Sequence, residues 1–134
     1  MADEAVVTDL LGNGGDVVEY TIATSNGIPK GSLLKLNDLR TVTTVGATDV
    51  PLAGIAASEH TAGSEDNRIG VYTNVIAKMK HSGAGITVGG QVVASADGNT
   101  VKAFDTLDDE TGDVLGYAME TVSDGETFLV RVQK

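Results

Sequence analysis

Side chains able to hold a metal, move a proton or attack a carbon are sparse in this chain. There are two histidines, His60 and His81. His60 follows Glu59, and His81 follows Lys78 and Lys80. Neither falls in an HxH or HxxxH pair, the spacings that bring two imidazoles to one metal. Both are expected on solvated surface loops. The run Asp105, Asp108, Asp109, Glu110 and Asp113 is rich in carboxylates. It lacks the central glycine and closing glutamate of a calcium loop, so a solvated acidic loop is expected. Ser25, Ser32, Ser58, Ser64, Ser82, Ser95 and Ser123 never occur in Gly-x-Ser-x-Gly, and few histidines are at hand to activate them. Gly83-Ala84-Gly85 and Gly89-Gly90 precede strand patterns rather than a helix and carry no P-loop lysine. These residues assign no catalytic group, no metal site and no cofactor. The expectation is a protein that is not an enzyme.

The composition narrows the classes further. A chain of 134 residues is one domain by length and can bury a core without staples. It has no cysteine, hence no disulfide or thiolate metal site. The formal charge is −10, which repels phosphate and anionic lipid, so neither nucleic acid nor membrane is expected as a partner. No apolar run is long enough to span a bilayer as a helix, and Met1-Ala2-Asp3-Glu4 lacks signal-peptide character. A soluble protein is expected, made without a secretion signal of its own.

Seventeen glycines against two prolines point to tight turns and bulges between short strands. Val18, Tyr20 and Ile22 alternate with polar or small residues, and Leu33–Leu36, Thr41–Val45 and Phe128–Val132 read as strands. Arg68 to Met79 reads as two strands about a kink at Asn74. Asp97-Gly98 and Asp124-Gly125 are hairpin signals, and Thr111-Gly112 a turn. Fragments recur. Ile28-Pro29-Lys30-Gly31-Ser32-Leu33-Leu34 is echoed by Ile86-Thr87-Val88-Gly89-Gly90-Gln91-Val92, and Leu52-Ala53-Gly54-Ile55-Ala56 by Val114-Leu115-Gly116-Tyr117-Ala118. Gly31 and Gly89 are 58 residues apart, and Gly54 and Gly116 are 62 apart. The chain is therefore expected to be all-β, a small glycine-rich β-barrel or sandwich of two similar units at about 28–79 and 86–134. Gly31, Gly54, Gly89 and Gly116 are its structural glycines, with Gly54 and Gly116 at bulges or close backbone approaches.

Ahead of the body, residues 1–16 are expected to form an extended N-terminal arm and glycine hinge, leaving 17–134 as a single β domain. Val6, Val7, Leu10 and Leu11 make the arm apolar, and Gly12-Asn13-Gly14-Gly15-Asp16 is expected to let it swing free. On this reading the arm is mobile until it docks on another chain.

The glycine-punctuated duplicated fragments, with Gly70-Val71-Tyr72-Thr73-Asn74-Val75, resemble the capsid decoration (head cement) proteins of tailed bacteriophages from about residue 17 to the C-terminus. The resemblance implies a structural virion protein on the outer surface of an icosahedral head, made in the host cytoplasm. It also implies a homotrimer that stabilises the capsid by bridging subunits of the major capsid protein, with Val6, Val7, Leu10 and Leu11 as the capsid-binding arm. The alternative is a carbohydrate- or ligand-binding β module of a virion or surface fibre. Sugar platforms need exposed aromatics, whereas Tyr20, Tyr72, Tyr117 and Phe128 fall within apolar strand patterns.

Overall fold

A computed structural model describes residues 3–23, 26–46, 50–96, 98–105 and 111–134. Eleven strands and one short 3-10 helix (Thr111–Asp113) make up the described elements. The strands are β1 (Val6–Leu10), β2 (Val18–Ile22), β3 (Leu33–Asp38), β4 (Thr41–Thr44), β5 (Leu52–Ala56), β6 (Arg68–Tyr72), β7 (Asn74–Lys80), β8 (Gln91–Ala94), β9 (Val101–Ala103), β10 (Gly116–Ala118) and β11 (Thr127–Gln133). The all-β expectation holds. Strands β2-β4-β3-β5-β6 close into a barrel, and β1-β7-β11-β10-β8-β9 form a six-stranded sheet.

The pairing registers show the internal repeat directly. Leu34 lies opposite Gly54 and Thr44, while Val92 lies opposite Gly116 and Ala103. Ala56 pairs with Val71 as Ala118 pairs with Val130. The loop bonds repeat as well: Gly31 N donates to Ala56 O at 2.9 Å, and Gly89 N to Ala118 O at 2.8 Å. Ile28 bridges His60 as Ile86 bridges Val122. Even the left-handed non-glycine residues Arg40 and Asn99 occupy matching turns.

One assignment differs from the sequence reading. There β7 fell within the first unit, at about 28–79, but by register it opens the second. Thr21 of β2 faces Arg68 of β6, and Lys80 of β7 faces Thr127 of β11 in the same way. β2 also runs parallel to β4 through Ile22 and Val42, and the parallel bridge His81–Val101 is its counterpart. Two apolar runs separated only by Thr73 thus belong to different units, which sequence adjacency conceals.

Each unit has its own interior. Ile22, Ile28, Leu34, Val42, Ala53, Ala56, Ile69 and Val71 fill the first. The second is larger because Leu33, Val45, Leu52 and Ile55, on the outer wall of the first unit, join Val92, Ala94, Val101, Leu115 and Phe128. A buried hydrogen bond crosses the same boundary, from Leu33 N to Asn99 Oδ1 at 2.9 Å. Wall residues of the first unit therefore cover the β8–β9 turn end of the second.

In both units neighbouring strands meet on bare backbone. A Cβ on Gly54 would run into the carbonyl oxygen of Tyr72, and one on Gly116 into that of Arg131. Gly54 adds a φ of +147°, rarely open to L side chains. Gly54→Ala and Gly116→Ala are each expected to cost about 1–3 kcal/mol, a drop of several degrees in Tm by calorimetry. Gly46→Ala, with no neighbour within 4 Å, is the control expected to leave Tm within about a degree.

Candidate docking edge

The N-terminal segment is a strand of its own domain, not the free arm expected from its glycines. β1 pairs antiparallel with β7, Val6 opposite Lys78 and Val7 opposite Ala77, then Asp9 opposite Ile76 and Leu10 opposite Val75. The register shifts at Thr8, whose Oγ1 donates to Ile76 O at 3.1 Å. Before the strand, Ala5 N donates to Gly31 O at 2.8 Å, and Ala5 is buried. Gly31 has to be glycine here, because a Cβ would meet the Ala5 carbonyl and its φ is +90°.

The expected hinge is a pinned turn. Leu11 N donates to Asn74 O, Gly15 N to Leu11 O, and both Thr73 N and Asn74 N to Gly15 O. Asp16 gathers the rest. Its carboxylate accepts from Asn13 N at 3.0 Å and from Asn74 Nδ2 at 2.6 Å, and its carbonyl from Thr73 Oγ1 at 2.6 Å. The bond from Asn74, then that from Asn13, holds the Asp16 carboxyl below its ordinary value of 3.8. Thr73 and Asn74 lie almost 60 residues along the chain, at the junction of the two units, so composition alone suggests looseness where there is a clamp.

The bound strand sorts the four apolar residues. Val6 and Leu10 are 61% and 53% exposed, whereas Val7 packs against the core and Leu11 is half-buried. Beside them lies a cleft of about 540 Å³ lined among others by Val6, Leu10, Lys30 and Tyr72. β1 is an edge strand of its sheet, so one side of its backbone has no strand beside it, flanked by Asp3 and Asp9. Asp3 forms an exposed ion pair with Lys80 at 3.7 Å.

The other candidate residues take different places. Both histidines are buried, against the expectation of solvated loops. His60 stands where Val122 stands in the second unit, with Nε2 at 2.9 Å from Asp66 O. His81 lies edge-on to Phe128 with ring centroids 6.2 Å apart and Nδ1 at 3.2 Å from Ser123 O. They are core residues of separate units. Asp113 is buried on the 3-10 helix rather than solvated, and Thr111-Gly112 belongs to that helix. Lys134 donates through Nζ to Gly112 O and Val114 O, and burial pulls its pKa down while Asp113 pulls it up. Asp108, Asp109 and Glu110 lie outside the described residues, as do Ser25 and Asp97. Among the described residues no group of three potential metal ligands converges.

Residues 12–133 match the family of phage cement proteins. The chain belongs to that family. Membership makes this cement protein a structural protein of a bacteriophage head, the coarse role that the resemblance implied. Among solved structures it is similar to the N base of the head fiber protein gp8.5 of bacteriophage phi29. TM-score is 0.53 and identity 19%, over 87% of this chain and 94% of that one. At that identity the likeness concerns fold. No curated protein matches.

The Asp16 clamp of the cement protein has a pH signature. A carboxyl whose folded pKa is depressed stabilises the fold above its unfolded pKa, and that contribution is lost as pH falls through the folded value. The amide signals of Asn13 and of the Asn74 side chain are therefore expected to titrate together, with a midpoint below 3.8. Asp16→Ala is expected to abolish that titration and speed hydrogen exchange across β1 at neutral pH. Unchanged exchange in the variant would remove the clamp from the account.

Proposed function

We propose that the protein binds the outer surface of an icosahedral phage head as a homotrimer. There it stabilises the shell by bridging subunits of the major capsid protein. Family membership supports the setting. The observation that carries the contact is β1, an outermost strand with Val6 and Leu10 turned to solvent. An extended segment of the capsid protein would add to this edge by main-chain hydrogen bonds, with apolar side chains entering the cleft beside it. Val6 and Leu10 are its direct contacts. Val7 and Leu11 hold the strand in place from the inner side.

A ligand of the assembled shell raises the free energy of taking it apart, and needs no chemistry to do so. Three linked copies turn one weak edge contact into an avid one, by factors of about 10² to 10⁴. The charge of −10 disfavours packaged nucleic acid and anionic membrane as targets. The sugar-binding alternative gains nothing from the described surface, since Tyr20 and Tyr72 are half-buried and the exposed Tyr117 has no aromatic partner beside it on β10.

Charging the edge tests the contact without removing it from the fold. Val6→Asp and Leu10→Asp are each expected to leave Tm within a few degrees. Together they are expected to weaken binding to undecorated heads at least tenfold in a co-sedimentation assay. Full binding by the folded double variant would show that the capsid contact lies elsewhere.

A further inference from the structure

The contact between the two units is heterologous: an outer wall of the first covers the turn end of the second. Because the units share a register, each also carries the half of that contact which the other uses. The wall positions Leu33, Val45 and Leu52 of the first unit correspond to Gln91, Phe104 and Val114 in the second. In the first unit these three pack against the second unit. In the second, Gln91, Phe104 and Val114, with Gln133 and Lys134, line an open hollow of about 340 Å³.

The other half is exposed on the first unit. The covered β8–β9 turn corresponds to the β3–β4 turn, with Arg40 in the place of Asn99. Ala94, sealed beneath the contact, is 1% exposed, but its counterpart Leu36 is 37% exposed. Leu39 at the tip of the free turn is 86% exposed, the most exposed large apolar side chain described. The free turn carries one charge of each sign, Asp38 and Arg40, on either side of Leu39, and the hollow's rim carries Lys134.

We infer that the Leu39 turn of a second copy seats in the Gln91–Phe104–Val114 hollow, repeating between chains the contact that joins the two units within one. Such a head-to-tail interface closes into a ring when its rotation allows, and a three-fold ring requires a heterologous interface of this kind. The inference rests on the homotrimer reading and names the surfaces that make it. Leu39 enters as the apolar anchor, and Arg40, which cannot accept from a backbone N–H as Asn99 does, stays at the rim.

The full chain at tens of micromolar is expected to sediment as a trimer. Leu39→Asp and Val114→Asp should each give monomers with unchanged circular dichroism and at least a tenfold weaker association. Mixing the two is the deciding arm. One variant keeps a sound hollow and the other a sound turn, so the mixture should form one-to-one dimers and nothing larger. Trimers that persist in both variants overturn this interface while leaving the homotrimer standing. A wild-type monomer at that concentration overturns both. A mixture that stays monomeric overturns the head-to-tail arrangement. If Val114→Asp fails to fold, the absence of native cysteines allows Leu39→Cys/Val114→Cys with a short bismaleimide. Covalent trimers from the double variant, and none from either single one, are expected. Equal cross-linking of a single variant overturns the proposal.

Discussion

In both units two strands touch backbone to backbone with nothing between them. Tyr72 O lies against Gly54 in the barrel and Arg131 O against Gly116 in the second sheet, each between strands of only three to seven residues. Any side chain at either glycine would push the paired strands apart. The small circumference of the barrel also limits what can fill it. Valine, alanine, leucine and isoleucine make up nearly the whole interior, with Phe128 as the bulkiest fully buried residue. A barrel this narrow has little room for more aromatics, which gives the low aromatic content a physical cause.

One β unit used twice in one chain must present two different outsides. The wall that the first unit turns to its neighbour is Leu33, Ile55 and Tyr72; the same positions in the second are Gln91, Tyr117 and Arg131. Interiors tolerate the repeat because both need apolar filling. Outer walls diverge because one is dry and the other wet. The substitutions at His60 and His81 belong to the same pattern, since each replaces an aliphatic residue of the other unit at a buried site and satisfies one ring nitrogen on a loop carbonyl.

How much of this was legible in the sequence depended on distance along the chain. The glycine spacing carried the repeat, because turn and close-approach glycines are set by local backbone geometry. Alternation carried most strands, and Asn74 signalled two strands over 68–79, although the break falls one residue earlier, at Thr73. The unit boundary was not legible, since a strand's partner is fixed by pairing rather than by its neighbour in sequence, and β7 pairs with β11. The N-terminal segment misled for a related reason. Gly12, Gly14 and Gly15 signal freedom until Asp16 is seen to bind Asn74, a partner no local pattern announces. The histidines misled because burial in a small barrel follows from register alone. Of the candidate edge, the apolar residues were legible, but that one side of them is held against the domain depended on the pairing of β1 with β7, far along the chain.

Fixing β1 in advance changes the energetics of the proposed capsid contact. Ordering a free backbone costs roughly 1–2 kcal/mol per residue. A five-residue strand left mobile would therefore give up about 5–10 kcal/mol of its binding free energy on docking. Pairing with β7 and the Asp16 clamp move that cost into folding, so a partner strand meets groups already aligned. The hazard of a preformed edge is pairing with its own kind. Asp3, Glu4 and Asp9 lie on or beside this edge, and two copies brought edge to edge would set these carboxylates against one another. A basic or neutral strand meets no such barrier. In the proposed contact, the acidity of this segment would therefore disfavour pairing between copies and leave the edge to a partner of different charge.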